Sequence, residues 1–205
     1  PAWLAPLRNE AEIRRAIRDH SDRAITPQAI NDAFRTIVLQ REVRRNLDRI
    51  AEAGATVVYE AVDLRDRASV AAAIDRVRQG RGPVRALIHG AGVLADRRIE
   101  DQTDEQFAQV FETKAGGIES LMAAVDPAAL RFLGLFSSTT ARFGRVGQVA
   151  YAAANEWLNK WAGREARRLP NCRVRSFNWG PWDGGMVTDS LKPLFLREGI
   201  GLIPL

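Results

Sequence analysis

Apolar residues recur at helical spacing over the first fifty residues of the chain. Ile13 and Ile17 lie about one turn apart, and a longer series of apolar positions follows up to residue 50. Side chains three or four positions apart share one face of a helix, so the spacing predicts amphipathic helices over residues 10–20 and 28–53. We expect residues 1–55 to form a helical segment that precedes a different kind of fold.

From residue 56 onward, short apolar runs alternate with longer amphipathic segments. The short runs predict four strands, at residues 56–62, 84–90, 130–138 and 173–180. The segments between them predict three helices, at residues 67–79, 104–125 and 148–168. Strands that alternate with helices imply βαβ crossovers and a parallel sheet, and runs that are apolar throughout favour strands covered on both faces. We therefore predict an α/β fold with a doubly wound, Rossmann-like parallel sheet over residues 56–205.

Glycine and polar residues follow the predicted strands at their carboxyl ends. They are Asp63, the HGAG run at residues 89–92, Ser138, and the NWGPWDGG run at residues 178–185. In a doubly wound sheet, ligands bind in the crevice beyond the carboxyl ends of the strands. The four strand ends therefore predict a single binding site.

Composition narrows the class of protein without naming a function. The chain has 205 residues, a net charge of +5 and a single cysteine, Cys172, so an intrachain disulfide is impossible. Its arginines are interleaved with acidic residues, which favours solvated helix faces over nucleic-acid binding and leaves open the docking of an acidic surface. No apolar run is long enough for a membrane span and no signal peptide is visible. We expect a cytoplasmic protein without a metal site.

The layout of four residues resembles an active site for the reduction of a ketone. Ser138 lies thirteen positions before Tyr151, and Asn155 lies four positions after it. Tyr151 would donate a proton to the carbonyl oxygen, and the ammonium of Lys114 would lower its pKa from about 10. Ser138 would donate a hydrogen bond to the same oxygen, and Asn155 would hold a proton-relay water or orient the lysine. Each residue alone is typical of packing, capping or solvation, so the interpretation depends on the set.

This layout resembles the active site of the short-chain dehydrogenases/reductases. Stand-alone members carry lysine four positions after the tyrosine and asparagine at the position of Lys114, whereas here Asn155 and Lys114 are exchanged. The exchange resembles the ketoreductase domains of polyketide synthases and of related multidomain fatty-acid synthases. The resemblance implies NADPH-dependent reduction of a 3-oxoacyl thioester to the 3-hydroxyacyl thioester. It also implies two kinds of partner, an acyl carrier protein that presents the phosphopantetheine-bound substrate and the other domains of the same synthase.

The same resemblance assigns further residues. Those implied to bind the cofactor are Asp63, Leu64, His89, Gly90, Ala91, Gly92, Pro181 and Trp182. Those implied to control substrate and stereochemistry are Asp96, Phe143 and Met186, and the residues from Met186 onward resemble a lid over the acyl-pantetheine arm. Asp96 ends a Leu-Ala-Asp triplet where one stereochemical class carries Leu-Asp-Asp, which implies the (3R) alcohol. As alternatives, Asp63 caps the helix that follows it, and Asp96 is an ordinary loop residue.

The chain also departs from the family pattern. The first strand, the glycine-rich loop, the second strand and the basic residue that selects the 2′-phosphate are absent from the sequence. The preference for NADPH over NADH therefore rests on the resemblance, and we expect the isolated chain to be inactive. A non-catalytic, reductase-like structural half of a synthase and a stand-alone alcohol dehydrogenase remain as alternatives. The intact four-residue set argues against the former, and Asn155 argues against the latter.

Overall fold

A computed structural model describes residues 2–21, 25–185, 187 and 191–204. The chain divides into two compact units, Pro1–Glu60 and Ala61–Leu205. The first unit contains a short 3-10 turn and two helices, α1 (Glu10–Asp19) and α2 (Pro27–Glu52). Asn9 and Thr26 cap these helices by accepting backbone N–H groups of their first turns. Both predicted helices are confirmed, with ends that differ by at most one residue from those expected.

The second unit is a three-stranded parallel sheet with helices. Its strands and α-helices are α3 (Arg67–Arg81), β1 (Ala86–His89), α4 (Asp104–Ala124), β2 (Phe132–Ser138), α5 (Thr140–Phe143), α6 (Val149–Arg168), β3 (Arg173–Trp179) and α7 (Lys192–Arg197), with a 3-10 turn at Ile99–Asp101. The strands pair in the order β1-β2-β3, with both pairs parallel. This architecture confirms the predicted α/β fold, while α5 was too short to leave a periodic signal. None of the described helices is both long and apolar enough to cross a membrane.

The hydrophobic core lies on one face of the sheet. Leu133 and Leu135 of β2 are fully buried against apolar side chains of α4 and α6, which include Ile118, Leu158 and Trp161. On the opposite face Ile88 is 62% exposed. The expectation that the strands are covered on both faces is therefore wrong for this chain, because the helices that bury the sheet pack on the side of Leu133 and Leu135.

The predicted strand at residues 56–62 does not form. Residues 55–63 have no regular secondary structure, and Val58 and Tyr59 are largely exposed. A strand exists only where its backbone groups bond to a neighbouring strand, and no described residue supplies that neighbour. The segment has the apolar composition of a strand, but the prediction that it pairs in the sheet is wrong. The described sheet has three strands in place of the four predicted.

Leu133 offers a direct test of the core. Changing Leu133 to alanine should lower the free energy of unfolding by about 2–5 kcal/mol, because a leucine without solvent exposure leaves a cavity that the strand cannot close. Leu196→Ala is the matched control, since Leu196 is largely exposed on α7 and should change the stability little. The stability of each variant is measured by proteolysis across a urea series, with peptides of β2 followed by mass spectrometry. Equal stabilities of the two variants would contradict this account of the core.

Candidate active site

The candidate site lies at the carboxyl ends of the three strands. β1, β2 and β3 end at His89, Ser138 and Trp179, and Ser138 is in register with Trp179. After β2 the chain makes the short helix α5 and returns through Gly147, whose φ of +82° favours glycine. α6 begins two residues later and carries Tyr151 in its first turn. The return of the chain therefore brings Tyr151 back to the strand end that carries Ser138.

Lys114 is a buried cation beside Tyr151. It lies in the middle of α4 and is only 3% exposed. Its Nζ donates a hydrogen bond of 2.8 Å to the backbone oxygen of Phe136 and lies 5.6 Å from the centroid of the Tyr151 ring. Burial lowers the pKa of Lys114 from its ordinary value of 10.5 to about 8. The lysine is therefore held at the site with an ammonium group that titrates just above neutral pH.

The phenol of Tyr151 has a pKa that is raised, not lowered. Burial is the largest cause, and it outweighs the opposing effect of the Asn155 and Ser138 side chains, while the charge of Asp96 raises the pKa further. The net direction is opposite to the one expected from a neighbouring lysine. The difference arises because the phenol loses water on burial, which disfavours the phenolate.

Ser138 and Asn155 complete the group that the sequence predicted. The Ser138 Oγ accepts a hydrogen bond of 3.1 Å from the backbone N–H of Thr140, so its own proton is available to another acceptor. Asn155 is fully buried, and its Nδ2 donates to the backbone oxygen of Tyr151 at 2.8 Å. The Asn155 Oδ1 has no hydrogen-bond partner in the part of the chain that the structure describes. The structure thus brings together a hydroxyl donor, a phenol, an ammonium group and an unused amide oxygen.

Asp96 is tied to the start of α6 by a residue that the sequence did not single out. Gln148 Nε2 donates to Asp96 Oδ2 at 2.8 Å, and the backbone N–H of Arg97 donates to the oxygen of Gly147 at 2.9 Å. Gln148 lies three positions before Tyr151, so this contact places the Asp96 carboxylate close enough to act on the phenol. A lone glutamine before a helix carries no motif, which explains why the pattern missed it.

The residues assigned to the cofactor fall into two groups around the strand ends. Leu64 and His89 both approach α4 at Gly117, where an added Cβ would lie 3.2 Å from Leu64 Cβ and 3.3 Å from His89 Cε1. Gly90, Ala91 and Gly92 follow directly after β1 and have no regular structure. The segments 63–64 and 89–92 therefore meet beside α4, whereas the second group follows β3.

The carboxylate of Asp63 accepts hydrogen bonds from Arg65. Arg65 donates to its carboxylate from Nη2 at 2.7 Å and from its backbone N–H at 3.0 Å. Those bonds from the Arg65 side chain and backbone lower the pKa of Asp63 to about 2. The alternative in which Asp63 caps the following helix is wrong, because Asp66 accepts the N–H groups of Ala68 and Ser69.

Pro181 and Trp182 follow the end of β3. The backbone oxygen of Pro181 accepts the N–H of Ile203 at 2.8 Å, and the Trp182 ring lies 5.1 Å from the Trp179 ring. The bond between Pro181 and Ile203 closes a loop that contains α7, the one helix among the described residues of the predicted lid. Phe143 lies on α5 and is 86% exposed, and Met186 lies outside the described residues.

Known proteins resemble the chain along most of its length. A family model described as KR domain matches residues 28–184. A polyunsaturated fatty acid synthase polypeptide of Thraustochytrium sp. is 37% identical over 213 residues, which covers 100% of this chain and 8% of that protein. A phenolphthiocerol/phthiocerol polyketide synthase polypeptide of Mycobacterium tuberculosis is 36% identical over 157 residues, which covers 74% of this chain and 8% of that protein.

Solved structures agree with these relatives. The ketoreductase from the first module of phoslactomycin biosynthesis in Streptomyces sp. HK803 superposes with a TM-score of 0.71 at 36% identity, covering 77% of this chain and 36% of that one. An N-terminal ketoreductase from the macrolactin assembly line gives the same TM-score, 0.71, at 26% identity and covers 80% of this chain and 32% of that one. Since the family model spans well over half of the residues and these ketoreductases share the fold, the chain belongs to the KR domain family of short-chain dehydrogenase/reductase-type ketoreductases.

Proposed function

We propose that this chain carries the catalytic residues of an NADPH-dependent ketoreductase in a multidomain synthase. Its substrate is a 3-oxoacyl thioester presented by an acyl carrier protein, and its product is the 3-hydroxyacyl thioester. The observation that carries the proposal is the buried ammonium of Lys114 above the Tyr151 ring, 5.6 Å from its centroid, beside the strand end that holds Ser138. A merely structural domain has no need for a buried cation at that position.

Tyr151 and Ser138 act on the carbonyl oxygen of the substrate. The raised pKa of Tyr151 keeps the phenol protonated at neutral pH, so the phenol donates its proton as the carbonyl carbon is reduced. The Ser138 hydroxyl, whose oxygen accepts from Thr140, donates its own proton to the same oxygen. Both donors stabilise the negative charge that develops there.

Lys114 and Asn155 act after the phenol has given up its proton. The phenolate that remains is stabilised by the Lys114 ammonium, which is present below its pKa of about 8. The unused Oδ1 of Asn155 accepts a hydrogen bond from a water that returns a proton to the site. These two residues therefore prepare Tyr151 for the next turnover.

We assign the loop after β1 to the cofactor. Gly90, Ala91 and Gly92 carry no side chain larger than a methyl group, so a ring can approach their backbone closely. NADPH, when bound along this loop, would supply the hydride that reduces the carbonyl carbon. Beyond the end of β3, Trp182 packs against Trp179.

Product analysis tests both the function and its stereochemistry. The full-length polypeptide that contains this chain should convert a 3-oxoacyl thioester on its carrier protein to the 3-hydroxyacyl thioester with loss of NADPH absorbance, and more slowly with NADH. Asp96 ends the Leu-Ala-Asp triplet that resembles the (3R) class, and Gln148 holds it near the start of α6, so we expect the (3R) alcohol on a chiral column. The absence of turnover would refute the function, and a mainly (3S) alcohol would refute the role of Asp96.

A further inference from the structure

His89 is a buried histidine whose ring acts as a neutral donor. It ends β1 and is only 2% exposed. Its Nε2 lies 2.9 Å from the backbone oxygen of Lys114, and because a carbonyl only accepts, Nε2 carries the proton. Burial lowers the pKa of His89 to about 4, so the ring stays neutral at pH 7 and adds no positive charge beside Lys114.

We propose that His89 is a positioning residue, which fixes the turn of α4 that carries Lys114 and thereby sets the place of the lysine ammonium above Tyr151. This inference rests on the proposed function, since it concerns the same reaction. It gives the His89 side chain a role other than cofactor contact, because its bond points into α4 and not toward the loop at residues 90–92.

The bond from His89 uses a free acceptor position of the helix. A backbone oxygen in the middle of a helix accepts the N–H four residues later and has a second lone pair. At Lys114 that second lone pair receives the His89 proton. A side chain without a donor at position 89 would remove this bond between β1 and the turn of α4 that carries Lys114.

Packing holds the imidazole in the same place. Gly117 lies one turn after Lys114 on α4, and its missing side chain makes room for the ring. An added Cβ at Gly117 would lie 3.3 Å from His89 Cε1 and 3.2 Å from Leu64 Cβ. Such spacing is too tight without movement of a neighbour, so the ring lies close to α4 at this glycine and leaves no room for a side chain there.

Lys114 is consequently held at both ends. His89 of β1 binds its backbone oxygen at 2.9 Å, and the backbone oxygen of Phe136 in β2 accepts from its Nζ at 2.8 Å. With its two ends fixed on neighbouring strands, the side chain has little freedom to leave the Tyr151 ring. Among the described residues, the other titratable groups at this site are Tyr151 on α6, whose ring lies below the ammonium, and Asp96 in the loop after β1, whose charge acts on Tyr151.

Loss of the His89 side chain should leave Lys114 less constrained in position and more accessible to water. Without the bond, the α4 turn is free to shift and water reaches the ammonium, which restores part of its hydration. We expect the pKa of Lys114 to rise from about 8 toward its ordinary value of 10.5. A residue that only stabilised the fold would leave the titration of Lys114 unchanged.

Trace acetylation of lysine amines across pH, read by peptide mass spectrometry, measures this titration in the full-length polypeptide without substrate. The chain has three lysines, and Lys160, on the exposed face of α6, serves as an internal reference. In His89→Leu we expect the Lys114 titration to move upward and kcat to fall by about ten- to a hundredfold, as misplacement of a site group does. His89→Gln keeps an N–H donor and should restore both. An unmoved Lys114 titration in His89→Leu would overturn the proposal.

A second pair of variants covers the case in which His89→Leu does not fold. Gly117→Ala keeps the histidine but presses on its ring, and it should move the Lys114 titration in the same direction. Gly163→Ala is the matched control, because an added Cβ there on α6 meets nothing within 4 Å. If Gly117→Ala behaves like Gly163→Ala, the proposal fails. The titration is measured without substrate, so it also separates this proposal from the proposed function. A protein that never reduces a 3-oxoacyl thioester would refute the function. The pH titration of the Lys114 amine would still decide the role of His89.

Discussion

Changing Tyr151 to phenylalanine is expected to lower kcat by about 10²- to 10⁴-fold, the range over which a positioned acid contributes to a reaction. The change removes one oxygen and keeps the ring that lies beneath the Lys114 ammonium. The raised pKa of Tyr151 means that the native residue is a protonated donor at neutral pH, so the loss falls on proton transfer. Steady-state kinetics with a carrier-bound 3-oxoacyl thioester measure it.

The second tyrosine of the chain supplies the control. Tyr59 is largely exposed, so Tyr59→Phe makes the same chemical change away from the site and should leave kcat unaltered. Cofactor affinity, followed by fluorescence titration, should be similar in both variants. Turnover retained by Tyr151→Phe would remove this residue from the role of acid and shift the search to a water held by Asn155.

The sequence was sufficient to predict the elements whose buried faces carry a regular apolar pattern. α4, β2 and α6 carry strong periodic patterns, and each lies within a few residues of its expected bounds because apolar spacing reports the buried face directly. The same patterns placed Lys114, Ser138 and Tyr151 on elements that meet at one edge of the sheet.

What the sequence missed depends on contacts between distant residues. Residues 56–62 have the composition of a strand but lack a partner, and pairing is not a property of the segment itself. Gln148 and Asp96 are bonded across 52 positions, and neither residue alone predicts the other. The direction of the Tyr151 pKa shift depends on how far the phenol is buried, which no spacing reveals.

The pH dependence of the reduction should report Lys114. Burial holds its pKa at about 8, so the ammonium is present below that pH and is lost above it. Because the pKa of Tyr151 is raised, the phenol is still protonated when the lysine loses its charge. We therefore expect kcat to decline above about pH 8 through the loss of the cation, and not through ionisation of the acid.

Lys114→Met tests this assignment by keeping the length of the side chain and removing its charge. We expect kcat to fall by about 10²- to 10³-fold, as when one electrostatic group is removed from an active site, and the decline near pH 8 to disappear. Lys160→Met, at an exposed position of α6, is the matched control and should keep the native profile. The same titration should affect the stability of the native protein in the opposite direction, raising it while kcat falls. Between pH 8 and 10.5 the unfolded lysine binds a proton that the folded one does not, so the native protein gains stability relative to Lys114→Met as the pH rises. A native-like decline near pH 8 in Lys114→Met would assign that titration to another group and leave the buried lysine without its proposed role.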